Sequence, residues 1–285
     1  MTIQQEKKAL ECLRMFQPDD GYILGYSGGK DSDVILGLTE LSGAKYKAVH
    51  NLTTIDAPET VNYIKSQPQI EILKSGTTMW KLIEKMKYPP TRIVRYCCAE
   101  LKEKSNIGKI TITGVRKDES ENRKANQGLI TFPQRDDVAR IADELDINFL
   151  LTDKRGVVLN NDNDESRRLV EQCYRTHKTL VNPIIDWIDA DVWDFLKHYN
   201  IDSNPLYQCG FDRIGCIGCP MANKQRYAQF QRYPKYRLNY VKAFDRMIQR
   251  RIETDMPQIW NNGEECMRWW LGENPNQLFL ENTRN

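Results

Sequence analysis

A parallel α/β sheet with helices on both faces, followed by a helical C-terminal extension, is the fold this sequence predicts. Three observations carry it. Short apolar runs alternate with segments whose apolar residues recur at helical spacing, the rhythm of strand–helix–strand units. A glycine-rich turn, "SGGKDS", stands where one such run gives way to a helix. After Cys219 the composition shifts to Lys, Arg and Tyr in "MANKQRYAQFQRYPKYRLNYVKAFDRMIQRRIETD", which reads as helical. The expected division is an α/β nucleotide-binding domain over residues 1–219 and an extension over 220–285.

Taken in order, "MTIQQEKKALECLRMFQ" is a charged amphipathic helix rather than a secretory signal. Tyr22-Ile23-Leu24-Gly25-Tyr26 is short and apolar enough for a buried parallel strand, and Val34, Ile35, Leu38 and Leu41 repeat helically after it. "YKAVHNL" reads as a strand. "TTIDAPETVNYIKS" reads as a helix start, with Asp56 as N-cap, Pro58 in the first turn and Glu59 three residues after the cap. "IEILK" is a strand, and "TTMWKLIEKMK" is an amphipathic helix stopped by Pro89 and Pro90. "KITITGVR" is a β-branched strand. "TLVNPIIDW" leads into "DADVWDFLKHYN", a helix by the repeat of Val192, Leu196 and Tyr199. Residues 131–168, with the polar run "NNDNDES", read as an exposed loop or short hairpin insertion without catalytic signature.

With 285 residues, 40% hydrophobic and 28% charged, the chain is expected to be a globular, cytoplasmic protein, since no apolar segment approaches a membrane span. A net charge of +2 excludes a global electrostatic case for nucleic-acid binding, so such a case must rest on a local patch.

The turn at "SGGKDS" presents free backbone N–H groups and the positive end of a helix dipole, so its expected guest is an anion, above all phosphate. Gly28 and Gly29 permit close backbone approach, Ser27 and Ser32 offer hydroxyls, and Lys30 brings a mobile charge. The Walker pattern is not met, because Leu24 stands where its first glycine belongs and Asp31 follows the lysine. The turn resembles instead the pyrophosphatase loop of the PP-loop, adenine-nucleotide alpha-hydrolase-like superfamily. A second loop, "GVRKDESENR", gathers Gly114, Arg116, Glu119, Ser120 and Arg123; its two guanidinium groups match a polyphosphate or sulfate.

Eight cysteines in a chain of this length do not make a disulfide scaffold. Cys12, Cys173 and Cys266 stand alone and read as small buried hydrophobes. Cys97 and Cys98 in "YCCAELK", with Cys209, Cys216 and Cys219 in "CGFDRIGCIGCP", offer enough thiolates for a zinc ion or an iron–sulfur cluster. Adjacent cysteines are awkward as two ligands of one zinc, which favours a cluster.

"YSGGKDS", "GVRKDES..R", "NPIIDWIDADVW", "NPLY..G" and "R.GCIGCP", in this order, resemble the phosphoadenosine phosphosulfate reductase family over most of residues 20–270. "RYCCAELK" with the later CxxC is similar to its iron–sulfur branch, which includes adenylylsulfate reductases and the sulfur-transfer proteins of DNA phosphorothioation. The resemblance implies a [4Fe-4S] cluster near the nucleotide on Cys97, Cys98, Cys216 and Cys219, with Cys209 as a possible substitute. Two departures stand out. The C-terminal ECGxH-type motif of assimilatory reductases is not found in "GEECMRWWLGENPNQLFLENTRN", and the loop is kept whole, as in enzymes that split ATP to AMP and pyrophosphate.

The resulting expectation is an ATP- and Mg²⁺-dependent enzyme that adenylates an acceptor and inserts sulfur from a donor such as a cysteine desulfurase. Lys30 and Asp31 would serve the pyrophosphate and Mg²⁺, and Arg116 and Arg123 the transferred group. Reduction of adenylyl sulfate or its 3′-phosphorylated form is the alternative; a nucleotide-binding, DNA-associated subunit without turnover is another. The stretch from Lys224 to Arg251, with Arg232, Lys235 and Arg237 among nine basic residues and six aromatics interleaved, is a candidate nucleic-acid surface or, more simply, a helical segment packing its aromatics inward.

Overall fold

The computed structural model describes residues 1–102, 108–133, 136–153, 155–222 and 224–273. The chain begins with α1 (Ile3–Met15), β1 (Tyr22–Gly25), α2 (Lys30–Ser42), β2 (Tyr46–Leu52), α3 (Pro58–Lys65) and β3 (Ile70–Lys74). Next come α4 (Met79–Met86), α5 (Tyr96–Leu101), β4 (Ile110–Ile112), α6 (Glu121–Asn126), β5 (Ile130–Phe132) and α7 (Asp136–Glu144). Then follow β6 (Leu150–Leu151), β7 (Val157–Leu159), α8 (Asp164–Cys173), β8 (Thr179–Val181) and α9 (Asp189–His198), and last α10 (Gln225–Arg232), α11 (Pro234–Glu253) and α12 (Gly263–Leu271).

The eight strands form one sheet in the order β3-β2-β1-β4-β8-β5-β7-β6. β1 pairs in parallel with β2 and β4, and β4 with β8. Leu24, Ile110, Ile112 and Val181 on these strands are fully buried, as strands covered on both faces must be. The sheet then changes sense. β5 runs antiparallel to β8 and to β7, and β6 antiparallel to β7. The region expected to be a loop or short hairpin therefore supplies three strands and two helices. Its strands are two or three residues long, too short for any alternation to show.

The chain divides into two compact units: Met1–His50, Glu59–Ile72 and Ser105–Ile214 in the first, and Asn51–Pro58, Leu73–Lys104 and Gly215–Asn285 in the second. This differs from the boundary expected after residue 219. Two internal segments join the C-terminal helices because their apolar residues pack there: Met79, Leu82 and Ile83 of α4 are buried, and α4 packs on α11. Around them lie Tyr240, Ala243, Phe244 and Met247 of α11 and Met267 and Trp270 of α12, all 5% exposed or less. Each large apolar side chain so buried contributes about 1.5–3 kcal/mol. In the first unit the core holds Leu13, Leu24, Ile35, Leu38, Phe132 and Phe195. Asp56, expected to cap α3, instead accepts from the Thr53 N–H at 2.7 Å and the Thr53 hydroxyl at 2.8 Å.

Candidate functional site

In the first unit, β1 leads into a turn whose Gly28 has φ +74°, a left-handed conformation that suits glycine. Asn204, wholly buried, fastens this turn: its amide donates to the Gly28 carbonyl at 2.9 Å and to the Thr60 hydroxyl at 3.1 Å. Gly29 caps α2. Ser32 is folded onto the turn, accepting from the Gly29 N–H at 3.0 Å and donating to the Gly29 carbonyl at 2.6 Å, while exposed Ser27 lies 3.2 Å from its hydroxyl. Ser32 thus shapes the loop from within, whereas the sequence suggested a hydroxyl for the ligand.

Lys30 is 8% exposed, and its ammonium lies 2.6 Å from Asp189 Oδ1. Trp193 and Tyr207 flank it, with ring centroids 5.4 and 5.6 Å from Nζ. The Lys30 N–H donates to the Tyr207 hydroxyl at 2.9 Å. Arg116, 3% exposed, donates its Nε–H to Asp31 Oδ1 at 2.6 Å and its Nη2–H to Asp189 Oδ1 at 3.1 Å. Lys30 and Arg116 therefore converge on one carboxylate oxygen at the start of α9. Burial works against the charge of Asp189, but Lys30 and Arg116 hold its pKa below the usual carboxylate value. Burial likewise opposes the charge on Arg116, and Asp31, Glu119 and Asp189 outweigh it and raise its pKa. Gly114 is needed here, because a Cβ would stand 2.9 Å from the Asp31 carbonyl oxygen.

Arg123 is half-buried and ion-paired with Glu119. Burial lowers its pKa, with Arg213 adding repulsion. Beneath the loop, Asp33 is 2% exposed. It accepts a hydrogen bond from the Tyr26 hydroxyl, and its Oδ2 is without a partner. The other nearby phenol, Tyr63, donates to the Asp202 carbonyl at 2.6 Å. Burial pushes the Asp33 carboxyl up to about 7 against the Tyr26 hydrogen bond.

Cys97, Cys98, Cys216 and Cys219 all fall in the second unit, and the charge state of Cys97 responds to the other three. Cys97 and Cys98 act on one another, which raises the pKa of Cys97 and lowers that of Cys98. Arg95 Nη2 donates to Cys98 Sγ at 3.3 Å, and Lys102 adds its charge. Cys216 above all keeps Lys102 in its ammonium form, with Asp56 and Cys98 helping. The CxxC turn has Gly218 at φ +74°, its N–H donating to Gln229 Oε1 at 2.8 Å, and a Cβ there would lie 2.5 Å from the Phe230 ring. Among the described residues no three His, Cys, Asp or Glu side chains are gathered closely enough to hold a single metal ion. The donor set, four thiols with cations beside them, fits a sulfur-ligated iron group. Cys209 belongs to the first unit and is exposed, while Cys12, Cys173 and Cys266 are fully buried, as expected.

The basic segment packs several of its aromatic side chains inward and pairs several of its arginines. Phe230, Tyr240 and Phe244 are buried, Arg237 is paired with Glu264 through both terminal nitrogens, and Arg246 and Arg250 pair with Glu84 and Glu253. Sequence reasoning missed Asp189, Tyr207, Arg213, Lys102 and Arg226 as site residues. Tyr207 and Asn204 were within reach, since both belong to "NPLY..G". No described helix is long and apolar enough to cross a membrane.

Two uncharacterized proteins of Methanocaldococcus jannaschii are similar to this chain. One is 25% identical over 259 residues, 85% of this chain and 53% of that protein; the other is 22% identical over 260 residues, 86% and 41%. The adenosine 5′-phosphosulfate reductase of Allochromatium vinosum is 40% identical over 42 residues, 15% of this chain and 16% of that enzyme. The chain thus spans about half or less of the length of these curated relatives. Residues 21–222, well over half of the chain, match the phosphoadenosine phosphosulfate reductase domain, and the chain belongs to that family.

Proposed function

We propose that this protein binds ATP at the loop of residues 27–32, adenylates an acceptor oxygen with release of pyrophosphate, and replaces that oxygen with sulfur. The observation that carries the reading is the convergence of Lys30 Nζ and Arg116 Nη2 on Asp189 Oδ1, at 2.6 and 3.1 Å, beside the N-terminus of α2. Two buried cations and a helix dipole define a place for an anionic oxygen. A phosphate oxygen taking the position of Oδ1 meets the same two donors. Lys30 then neutralises the leaving pyrophosphate, and Arg116, joined by Arg123, offsets charge on the transferred group. Asp31 accepts from Arg116 through Oδ1, and its carboxylate would help to hold a Mg²⁺ brought in with the nucleotide phosphates.

Cys97, Cys98, Cys216 and Cys219 would hold a [4Fe-4S] cluster, which supplies electrons and thiophilic iron to sulfur chemistry. Adenylation turns the acceptor oxygen into part of a leaving group; the outer sulfur of a persulfide on a donor protein such as a cysteine desulfurase attacks the acceptor, AMP departs with the oxygen, and the disulfide so formed is cleaved by two electrons from an external dithiol, which leaves the thiolated acceptor and the donor thiol. Membership of the family favours a second reading, reduction of adenylyl sulfate or phosphoadenylyl sulfate to sulfite at the same anion site. Both are tested on protein purified anaerobically and loaded with iron and sulfide. Mg²⁺-dependent ATP–pyrophosphate exchange, absent in Lys30→Ala, is expected. Sulfite release from adenylyl sulfate without exchange establishes the second reading, and tight nucleotide binding with neither activity makes the chain a nucleotide-binding subunit.

A further inference from the structure

Arg226 lies on α10, seven residues after the CxxC motif, and is only 7% exposed. Its Nη1 donates to the Trp270 carbonyl at 2.9 Å, and its guanidinium carbon stands 4.0 Å from the centroid of a Trp270 ring. Nε and Nη2 are buried with no hydrogen-bond partner. The groups that act on its charge are Tyr240, Cys219 and Tyr227, with no carboxylate among them. A desolvated cation without a counter-ion is strongly unfavourable, and stacking on an indole recovers only part of the loss. Buried Arg116 shows the ordinary solution, with Asp31 and Asp189 against it. Among the described residues no carboxylate pairs with Arg226, and α10 is held to the cysteine turn by the bond from Gly218 to Gln229. The turn that α10 is held to carries the thiols of Cys216 and Cys219 on either side of Gly218.

We propose that Arg226 is a positioning residue for the sulfur-ligated group of the second unit: its Nε–H and Nη2–H, which have no partner in the chain, donate to an inorganic sulfide of that group, and its charge is set against the thiolates. The proposal rests on the cluster reading above. Hydrogen bonds to cluster sulfur and nearby positive charge favour the more negative, reduced state, so loss of Arg226 makes the cluster harder to reduce.

The test uses full-length wild type, Arg226→Met and Arg226→Gln, each prepared metal-free and each loaded anaerobically with ferrous iron and sulfide. Three quantities are read: iron retained against a chelator, midpoint potential by dithionite titration, and urea midpoint with and without iron. Both variants are expected to hold iron about tenfold more weakly, a loss typical of outer-shell partners, and to show a more negative potential. Their metal-free urea midpoints should stay at or above wild type, because an uncompensated buried charge has gone. A loaded variant with wild-type potential and iron retention overturns the proposal, as does a metal-free form weakened as much as the loaded one, which would mean packing on Trp270 alone. Should Arg226→Met fail to fold, Arg226→Gln decides on the same readouts. Wild type that takes up no iron brings down the cluster reading, and this proposal with it.

Discussion

The phosphate-loop site and the cysteine site solve the same electrostatic problem in opposite ways. In the first unit, buried Lys30 and Arg116 are answered by carboxylates of the chain itself, Asp31 and Asp189, so the site is neutralised internally and a ligand must compete with Asp189. In the second unit, Cys216 acts most strongly on the charge of Lys102, with Asp56 and Cys98 beside it, and Arg226 keeps two buried donor nitrogens without a partner. A site that satisfies its own charges can stand ready without its ligand. One that does not is built around what it binds.

The largest expected break in this comparison is Cys219→Ser, which should abolish iron uptake in anaerobic reconstitution, while Cys12→Ser and Cys266→Ser, buried in the two cores, retain it. Full iron content in the Cys219 variant would remove it from the ligand set.

Next comes Asp33, a buried carboxylate beneath the loop that no cation among the described residues answers. Its pKa rises from 3.8 to about 7 on folding, so the folded state holds its proton more tightly than the unfolded chain. The stability this gives is full below about pH 4, declines as pH rises through 7, and is absent above. Asp33→Asn should match wild type near pH 4 and exceed it by up to about 4 kcal/mol at pH 8. Urea unfolding across that range checks it, and parallel profiles would refute it.

Lys30→Ala should weaken ATP binding about 10- to 100-fold, the worth of a charge-assisted contact, and leave the urea midpoint little changed. Calorimetric titration measures the first. The smallest effect belongs to Arg237, whose partly exposed pair with Glu264 should cost less than about 1 kcal/mol on Arg237→Ala and lose most of that in high salt. A larger, salt-independent loss would show that exposed arginines here matter as much as buried ones.

Much of the scaffold could be read from residues alone, where one physical signal dominated. "YKAVHNL" and "IEILK" became β2 and β3 residue for residue, because each short stretch is bounded by Gly, Pro or Ser turn signals. The glycine turn into α2 and the burial of Cys12, Cys173 and Cys266 also came where the residues suggested. What escaped notice depends on tertiary placement. Strands of two and three residues carry no period, and Asp56 satisfied Thr53 rather than the helix end that its spacing suggested. Asp189 looked like an ordinary first-turn acid of α9, which it also is; its meeting with Lys30 and Arg116 links residues far apart in sequence. Arg226 looked like one of nine surface cations until burial set it apart.

The second unit is threaded from three stretches of chain, and this has a consequence during synthesis. Cys97 and Cys98 emerge from the ribosome well before Cys216 and Cys219 exist; at about 5–20 residues per second the wait is on the order of ten seconds. Throughout it, the early pair lacks the C-terminal part of its own unit. Nascent chains should therefore be most open to thiol oxidation in this interval, and a ribosome stalled between the two pairs should expose the early cysteines to alkylation that the finished protein slows.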